Sequence, residues 1–170
     1  MNQLNYKDLI KDVPDFPKPG ILFRDVSPLL KNPEALIALC DDFAKMIDLK
    51  KVDYFVGIES RGFIFASLMA ARFQKGFVPL RKAGKLPPPV IQESYSLEYG
   101  NAVLEINSTP VKKNVVICDD VLATGGTLKA AINLCERGGY TVQDILVLID
   151  LTFLNQMKFN DKKINSLIQY

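Results

Sequence analysis

Residues 115–127 read VVICDDVLATGGT, and the types and order of these side chains suit the binding of a sugar phosphate. Gly125 and Gly126 let backbone N–H groups converge on a phosphate in the turn formed by Ala123, Thr124, Gly125, Gly126 and Thr127. Thr124 and Thr127 add hydroxyl donors, and the helix expected to follow adds the partial positive charge of its N-terminus. Asp119 and Asp120 would repel a bare phosphate, but carboxylates accept hydrogen bonds from paired hydroxyls such as those of a ribose. Taken singly, an acid pair in a turn and a Thr-Gly-Gly are ordinary parts of a strand-to-helix connection. The thirteen-residue string is far more specific than its parts. It departs from both GxxxxGK[ST] and GxGxxG, which argues against a nucleoside triphosphatase and a dinucleotide oxidoreductase.

The chain has no histidine, which removes Ser-His-Asp chemistry, HExxH zinc sites and the usual proton shuttle together. Proton transfer therefore falls to a carboxylate, Lys, Tyr or Cys. Cys40, Cys118 and Cys135 are too widely spaced for a CxxC pair and read as buried thiols. Other chemistry-bearing groups are Ser60 and Arg61 just past a strand, the basic cluster Arg81, Lys82 and Lys85, and two glutamates, Glu93 and Glu98. A charge cluster alone is more often a solvated face, and a strand glutamate is more often exposed than catalytic.

The elements that must hold these groups follow from periodicity. Asn32, Pro33 and Glu34 supply a cap, a first-turn proline and an acid, ahead of Leu36, Cys40, Phe43 and Ile47 at helical spacing. Residues 54–58 read as a buried strand, residues 63–73 as a helix, residues 77–80 and 115–118 as strands, and residues 145–149 as another. Leu128, Ala131, Ile132 and Cys135 line a helix stopped by Gly138 and Gly139. Strands alternating with helices predict an α/β fold on a mainly parallel sheet, with ligands beyond the carboxyl ends of its strands. Asp119 and Asp120 then fall where a strand ends.

At 170 residues and 48% hydrophobic content, one domain spanning residues 1–170 is expected. Two regions break the alternation and are candidate coverings for the site: the Pro-rich beginning and the insertion of about residues 82–106. In the insertion Pro87, Pro88 and Pro89 stiffen the chain. Tyr95, Leu97 and Tyr99 then alternate with Ser94, Ser96 and Glu98 before a Gly100-Asn101 hairpin signal. The net charge of +2 gives no global attraction to nucleic acid or anionic membrane, and no apolar run approaches a membrane span. The first residues mix charged and polar groups, so a cytoplasmic protein is expected.

The string at 115–127 resembles the phosphoribosyl diphosphate signature of the type I phosphoribosyltransferases. Further segments resemble the adenine-specific branch of that family: PDFPKPGILFRDVSPLL from Pro14, ESRGF from Glu59, RKAGKLP from Arg81, SYSLEYG from Ser94, and the final SLIQY. Together they run in order from about Pro14 to Tyr170. The resemblance implies a type I phosphoribosyltransferase fold with an N-terminal hood (about residues 1–30) and a flexible hairpin lid. It implies that 5-phosphoribosyl 1-diphosphate and adenine give AMP and diphosphate, with Mg²⁺ carried by diphosphate and ribose and no firm direct protein ligand. By similarity, Asp119 and Asp120 hold the ribose hydroxyls and residues 123–127 the 5′-phosphate. Ser60, Arg61, Arg81, Lys82 and Lys85 face diphosphate, partly across a homodimer interface. Leu22, Phe23, Arg24 and Val121 bind adenine, Glu98 takes the N9 proton, and Tyr99 belongs to the lid. Two departures are Glu59, where Asp is more common in the family, and Pro88-Pro89.

Two other readings compete. A non-catalytic regulator using phosphoribosyl diphosphate as an effector predicts binding without turnover; the Glu98 segment, the basic residues on the diphosphate side and the lack of a basic nucleic-acid-binding face oppose it. A transferase for hypoxanthine, guanine or xanthine is opposed by Phe23-Arg24-Asp25 and residues 94–100.

Overall fold

The computed structural model describes residues 4–97 and 100–170. A 3₁₀ turn at Tyr6–Leu9 leads into a small antiparallel pair, β1 (Lys11–Pro14) and β2 (Leu22–Asp25), which stands apart from the main sheet. Its connection turns on Asp15 and Gly20, both at positive φ, with the Gly20 N–H donating to Asp15 Oδ1 at 2.7 Å. The short helix α1 (Ser27–Leu30) follows, started by Asp25, which accepts from both the N–H and the hydroxyl of Ser27.

Helix α2 (Pro33–Ala44) begins where its cap predicts: Asn32 Oδ1 accepts from the Ala35 N–H at 3.0 Å, and Pro33 occupies a first-turn position where no intrahelical donor is lost. It stops sooner than the apolar spacing implied. Met46 bonds back to the Phe43 carbonyl and Asp48 caps a separate 3₁₀ turn, so Ile47 packs on the same core from outside the helix.

The main body is β3 (Tyr54–Ile58), α3 (Gly62–Arg72), β4 (Gly76–Lys82), β5 (Ile91–Leu97), β6 (Gly100–Ile106), β7 (Lys113–Leu122), α4 (Gly126–Arg137), β8 (Tyr140–Asp150), the short pair β9 (Lys158–Phe159) and β10 (Lys162–Lys163), and β11 (Asn165–Gln169). Seven strands form one sheet in the order β11-β8-β7-β3-β4-β6-β5. The first five run parallel and the β5–β6 hairpin is antiparallel. β6 joins β4 only opposite Arg81 and Lys82, so Pro79 lies where β4 is still an edge and its missing N–H costs no ladder bond on that side.

Side chains alternate across the sheet into two cores. Phe55, Val116, Cys118 and Leu146 meet α2 and α3, through Leu39, Phe43, Phe65 and Met69. Val56, Val115, Ile117 and Val147 meet α4, through Leu128, Ala131, Leu134 and Cys135. All three cysteines are buried free thiols. Among the described residues no helix is long and apolar enough to cross a membrane.

The chain leaves β3 through α3 toward β4 on one side, and leaves β7 through α4 toward β8 on the other. Strand order therefore reverses between β3 and β7, and the connections from their carboxyl ends lead to helices on opposite faces, which is the position of the crevice where such sheets take ligands.

Candidate active site

The crevice is bounded on the β7 side by Asp119 and Asp120. These acids lie inside the strand, whose pairing continues through Val121 opposite Ile149 and Leu122 opposite Asp150. The apolar run in the sequence stops at Cys118, whereas the backbone ladder does not. Both carboxylates are buried, and the Asp120 N–H donates to Asp119 Oδ1 at 2.9 Å. Burial, reinforced by the charge of Asp120, pushes the Asp119 carboxyl well above its ordinary range.

Beyond Leu122 the chain turns through the half-buried Ala123 and exposed Thr124 to Gly125, at φ +85°, and enters α4 at Gly126. Only a residue tolerant of left-handed backbone fits at Gly125, and a side chain there would also come within 3.0 Å of Met157 Sδ. Among the described residues no side chain caps α4, so its first-turn N–H groups lie without such a cap beside the hydroxyls of Thr124 and Thr127. Asn155 braces the region behind this turn: its amide donates to Asp150 Oδ1 and to the Leu151 carbonyl, and its oxygen accepts from the Met157 N–H.

On the β3 side, Glu59 and Ser60 are joined by a cis peptide and Arg61 precedes α3. The Arg61 guanidinium pairs with Asp120 and lies 5.0 Å from the centroid of the Phe23 ring. This single residue joins the hood to the end of β7. Gly62 makes the junction possible, because a Cβ there would sit 2.6 Å from the Cys118 carbonyl oxygen and 3.1 Å from Asp119 Oδ1.

Phe23 is half-buried, with Phe16 edge-on at 5.1 Å, and Leu22 beside it is exposed. The Arg24 side chain pairs with Asp12 and stacks at 3.7 Å on the Tyr170 ring. Val121 is half-buried next to Asp120.

Arg81, Lys82 and Lys85 gather around Glu59. Its carboxylate accepts from the Lys82 N–H at 2.9 Å, Lys85 Nζ at 2.7 Å and Arg81 Nε at 3.3 Å. Burial opposes the charge on Glu59, yet Lys85, the Lys82 N–H and Arg81 together hold its carboxyl down at about 2. Glu93 pairs with Arg137 in the last turn of α4. Arg137 is eleven residues beyond Gly126, about 16 Å along the axis at 1.5 Å per residue. Glu98 and Tyr99 lie outside the described residues.

Met157, which packs against the Gly125 turn, carries no motif that singles it out, and Gly62 lies within the ESRGF segment without a role of its own in the sequence.

Residues 25–163 match the family model described as phosphoribosyl transferase domain. The adenine phosphoribosyltransferase of Bdellovibrio bacteriovorus is 61% identical over 167 residues, covering 98% of this chain and all of that protein. The crystal structure of adenine phosphoribosyltransferase from Thermoanaerobacter pseudethanolicus superposes with a TM-score of 0.89 at 43% identity, covering 97% of this chain and 98% of the other. That from Saccharomyces cerevisiae, complexed with an imino-altritol bisphosphate and adenine, gives 0.84 at 37% identity, covering 96% and 95%.

Proposed function

The chain belongs to the phosphoribosyl transferase family, and from that premise we propose how it carries out purine salvage, moving the 5-phosphoribosyl group from 5-phosphoribosyl 1-diphosphate to N9 of adenine with release of AMP and diphosphate. The observation that carries this reading is the Arg61 guanidinium, which reaches from the Phe23 ring to the Asp120 carboxylate and so puts an aromatic slot and a ribose-binding acid in one crevice.

In this reading residues 123–127 and the α4 N-terminus hold the 5′-phosphate, and Asp119 and Asp120 accept the ribose hydroxyls. Phe23 and Val121 flank the adenine ring while backbone at Leu22 and Arg24 reads its edge. Ser60, Arg61, Arg81, Lys82 and Lys85 neutralise the diphosphate as the bond from C1′ to its oxygen breaks. Glu98 accepts the N9 proton as the bond from N9 to C1′ forms; the attachment of its rival Glu93 to Arg137, far along α4 from the phosphate turn, supports this choice. The hairpin bearing Glu98 and Tyr99 covers the sugar and keeps water from the electron-poor C1′.

The acid pair supplies hard oxygen ligands beside a phosphate turn, which fits Mg²⁺. In this reading the ion would be carried by diphosphate and ribose oxygens, with Asp119 and Asp120 nearby. Bound there, Mg²⁺ supplies charge neutralisation on the leaving diphosphate. Phe63 and Phe77 meet edge-on beside Arg81, and Phe77 and the neighbouring Ile64 of α3 are exposed large apolar side chains, which supports a homodimer. A cytoplasmic setting without nucleic-acid or membrane partners suits a site for small soluble metabolites.

The test is a panel of bases at fixed phosphoribosyl diphosphate and Mg²⁺. Adenine is expected to turn over at least about 10²-fold faster than hypoxanthine, guanine or xanthine, because backbone groups matched to the 6-amino edge are left unpaired by a 6-oxo base. Hypoxanthine turning over as fast as adenine would reassign the base. Glu98→Gln is expected to lower kcat far more than it changes either substrate's binding; unchanged kcat would remove Glu98 from its role.

A further inference from the structure

The turn that follows β4 holds a buried anion belonging to the protein itself. Glu105, on β6, is 1% exposed, with Leu104 and Ile106 buried on either side. An isolated carboxylate at that depth is very costly unless donors surround it. Three successive backbone N–H groups supply them: Gly84 donates to Oε2 at 3.0 Å, while Lys85 and Leu86 both donate to Oε1 at 2.7 Å. Gln92 Nε2 on β5 adds a fourth at 3.2 Å. The Gly84 N–H leads the donors that, against burial, bring this carboxyl down to about 2, so it stays ionised throughout the physiological range.

Convergent backbone N–H groups of this kind ordinarily receive an external anion. Here Glu105 fills them, so the turn meets substrate through its side chains and not through its backbone. Lys85 is held at both ends, its N–H by Glu105 and its ammonium by Glu59. The Lys85 carbonyl in turn accepts from Arg81 Nη1 at 3.2 Å. Removing the Glu105 charge would release the backbone of residues 84–86 and with it the spacing of all three cations.

We propose that Glu105 is a positioning residue for the diphosphate end of the reaction, fixing the 84–86 turn so that Arg81, Lys82 and Lys85 present one preformed cationic edge beside Ser60. The proposal rests on assigning that cluster to diphosphate. It predicts a selective effect, because Glu105 touches neither the hood nor the phosphate turn.

Glu105→Gln keeps the shape but sets an amide donor against N–H groups that need acceptors. It is expected to weaken binding of inorganic diphosphate and raise KM for phosphoribosyl diphosphate by about tenfold or more, as misplacement by an ångström does elsewhere. KM for adenine should stay within about twofold of wild type, a split that general loosening of the fold would not produce. Lys85→Ala, measured alongside, separates the two layers of argument. If it leaves diphosphate binding unchanged, the cluster assignment fails and the proposal with it. If Lys85→Ala weakens binding and Glu105→Gln does not, the cluster stands and the role of Glu105 is overturned. Should Glu105→Gln fail to fold, Gly84→Ala decides: Gly84 has φ +82° and no atom within 4 Å of a would-be Cβ, so the substitution strains only this turn. Gly84→Ala should give the same split, and unchanged diphosphate binding in it overturns the proposal.

Discussion

Asp119 is 9% exposed behind Asp120, and burial followed by that neighbour's charge raises its carboxyl well above the ordinary 3.8. A carboxyl raised on folding binds more proton in the folded than in the unfolded chain, so its contribution falls as pH rises through the window above 3.8. Asp119→Asn keeps the acceptor for the Asp120 N–H and removes the buried charge. It is expected to melt higher than wild type, with the gap widening from pH 5 to pH 8, at about 2–4 °C per kcal/mol gained for a chain of this size. The same change should raise KM for phosphoribosyl diphosphate. A variant that melts lower at pH 8 while keeping its KM would contradict both halves. Gly62 gives a second residue-level expectation. The Cys118 carbonyl that a new Cβ would meet is backbone in the central strand and cannot step aside, so Gly62→Ala should cost about 1–3 kcal/mol in urea unfolding. A midpoint equal to wild type would show that α3 can retreat from β7 without loss.

At the scale of elements, the β5–β6 hairpin is anchored as well as inserted. Arg137, at the end of α4, donates to the Gln92 carbonyl at 3.0 Å and pairs with Glu93. The tie is partly exposed and so contributes about 0.2–1 kcal/mol. Arg137→Ala is expected to speed hydrogen exchange of β5 amides by about two- to five-fold while leaving β7 unchanged; equal acceleration in both strands would mean that α4 itself has loosened. The elements also show where sequence reading stops. The start of α2 was legible because Asn32 and Pro33 act locally. The ends of β7 and β8 were not, because an apolar-run criterion halts at the first charge, whereas the ladder carries Asp119 and Asp150 within it. The insertion at about 82–106 breaks the alternation in the sequence, and within it residues 91–97 and 100–106 pair as a hairpin that extends the sheet. Their pairing with β4 at only Arg81 and Lys82 depends on long-range register that no local pattern encodes.

At the scale of the whole molecule, the alternation of strands and helices was enough to predict the α/β sheet, and the reversal of strand order between β3 and β7 brings Arg61 to Asp120. The partners of Glu59 and Glu105 were hidden because the Glu105 contacts, like the β4–β6 pairing, join residues some twenty positions apart. These two acids also govern behaviour in acid. Both carboxyls fall from 4.5 to about 2 on folding, so between those values the unfolded chain binds more protons. Their stabilisation is complete above 4.5 and is lost as pH falls toward 2. Wild type should therefore lose melting temperature steeply between pH 4.5 and pH 2, and Glu105→Gln should show a shallower loss from a lower starting point; parallel curves would contradict the assignment. The central claim, that the crevice between β3 and β7 joins adenine to a phosphoribosyl group, is tested most directly by incubating purified protein with adenine, phosphoribosyl diphosphate and Mg²⁺ and quantifying both products. AMP and diphosphate appearing in equal amounts, and neither without adenine, is the predicted result; phosphoribosyl diphosphate bound but no AMP formed would contradict it.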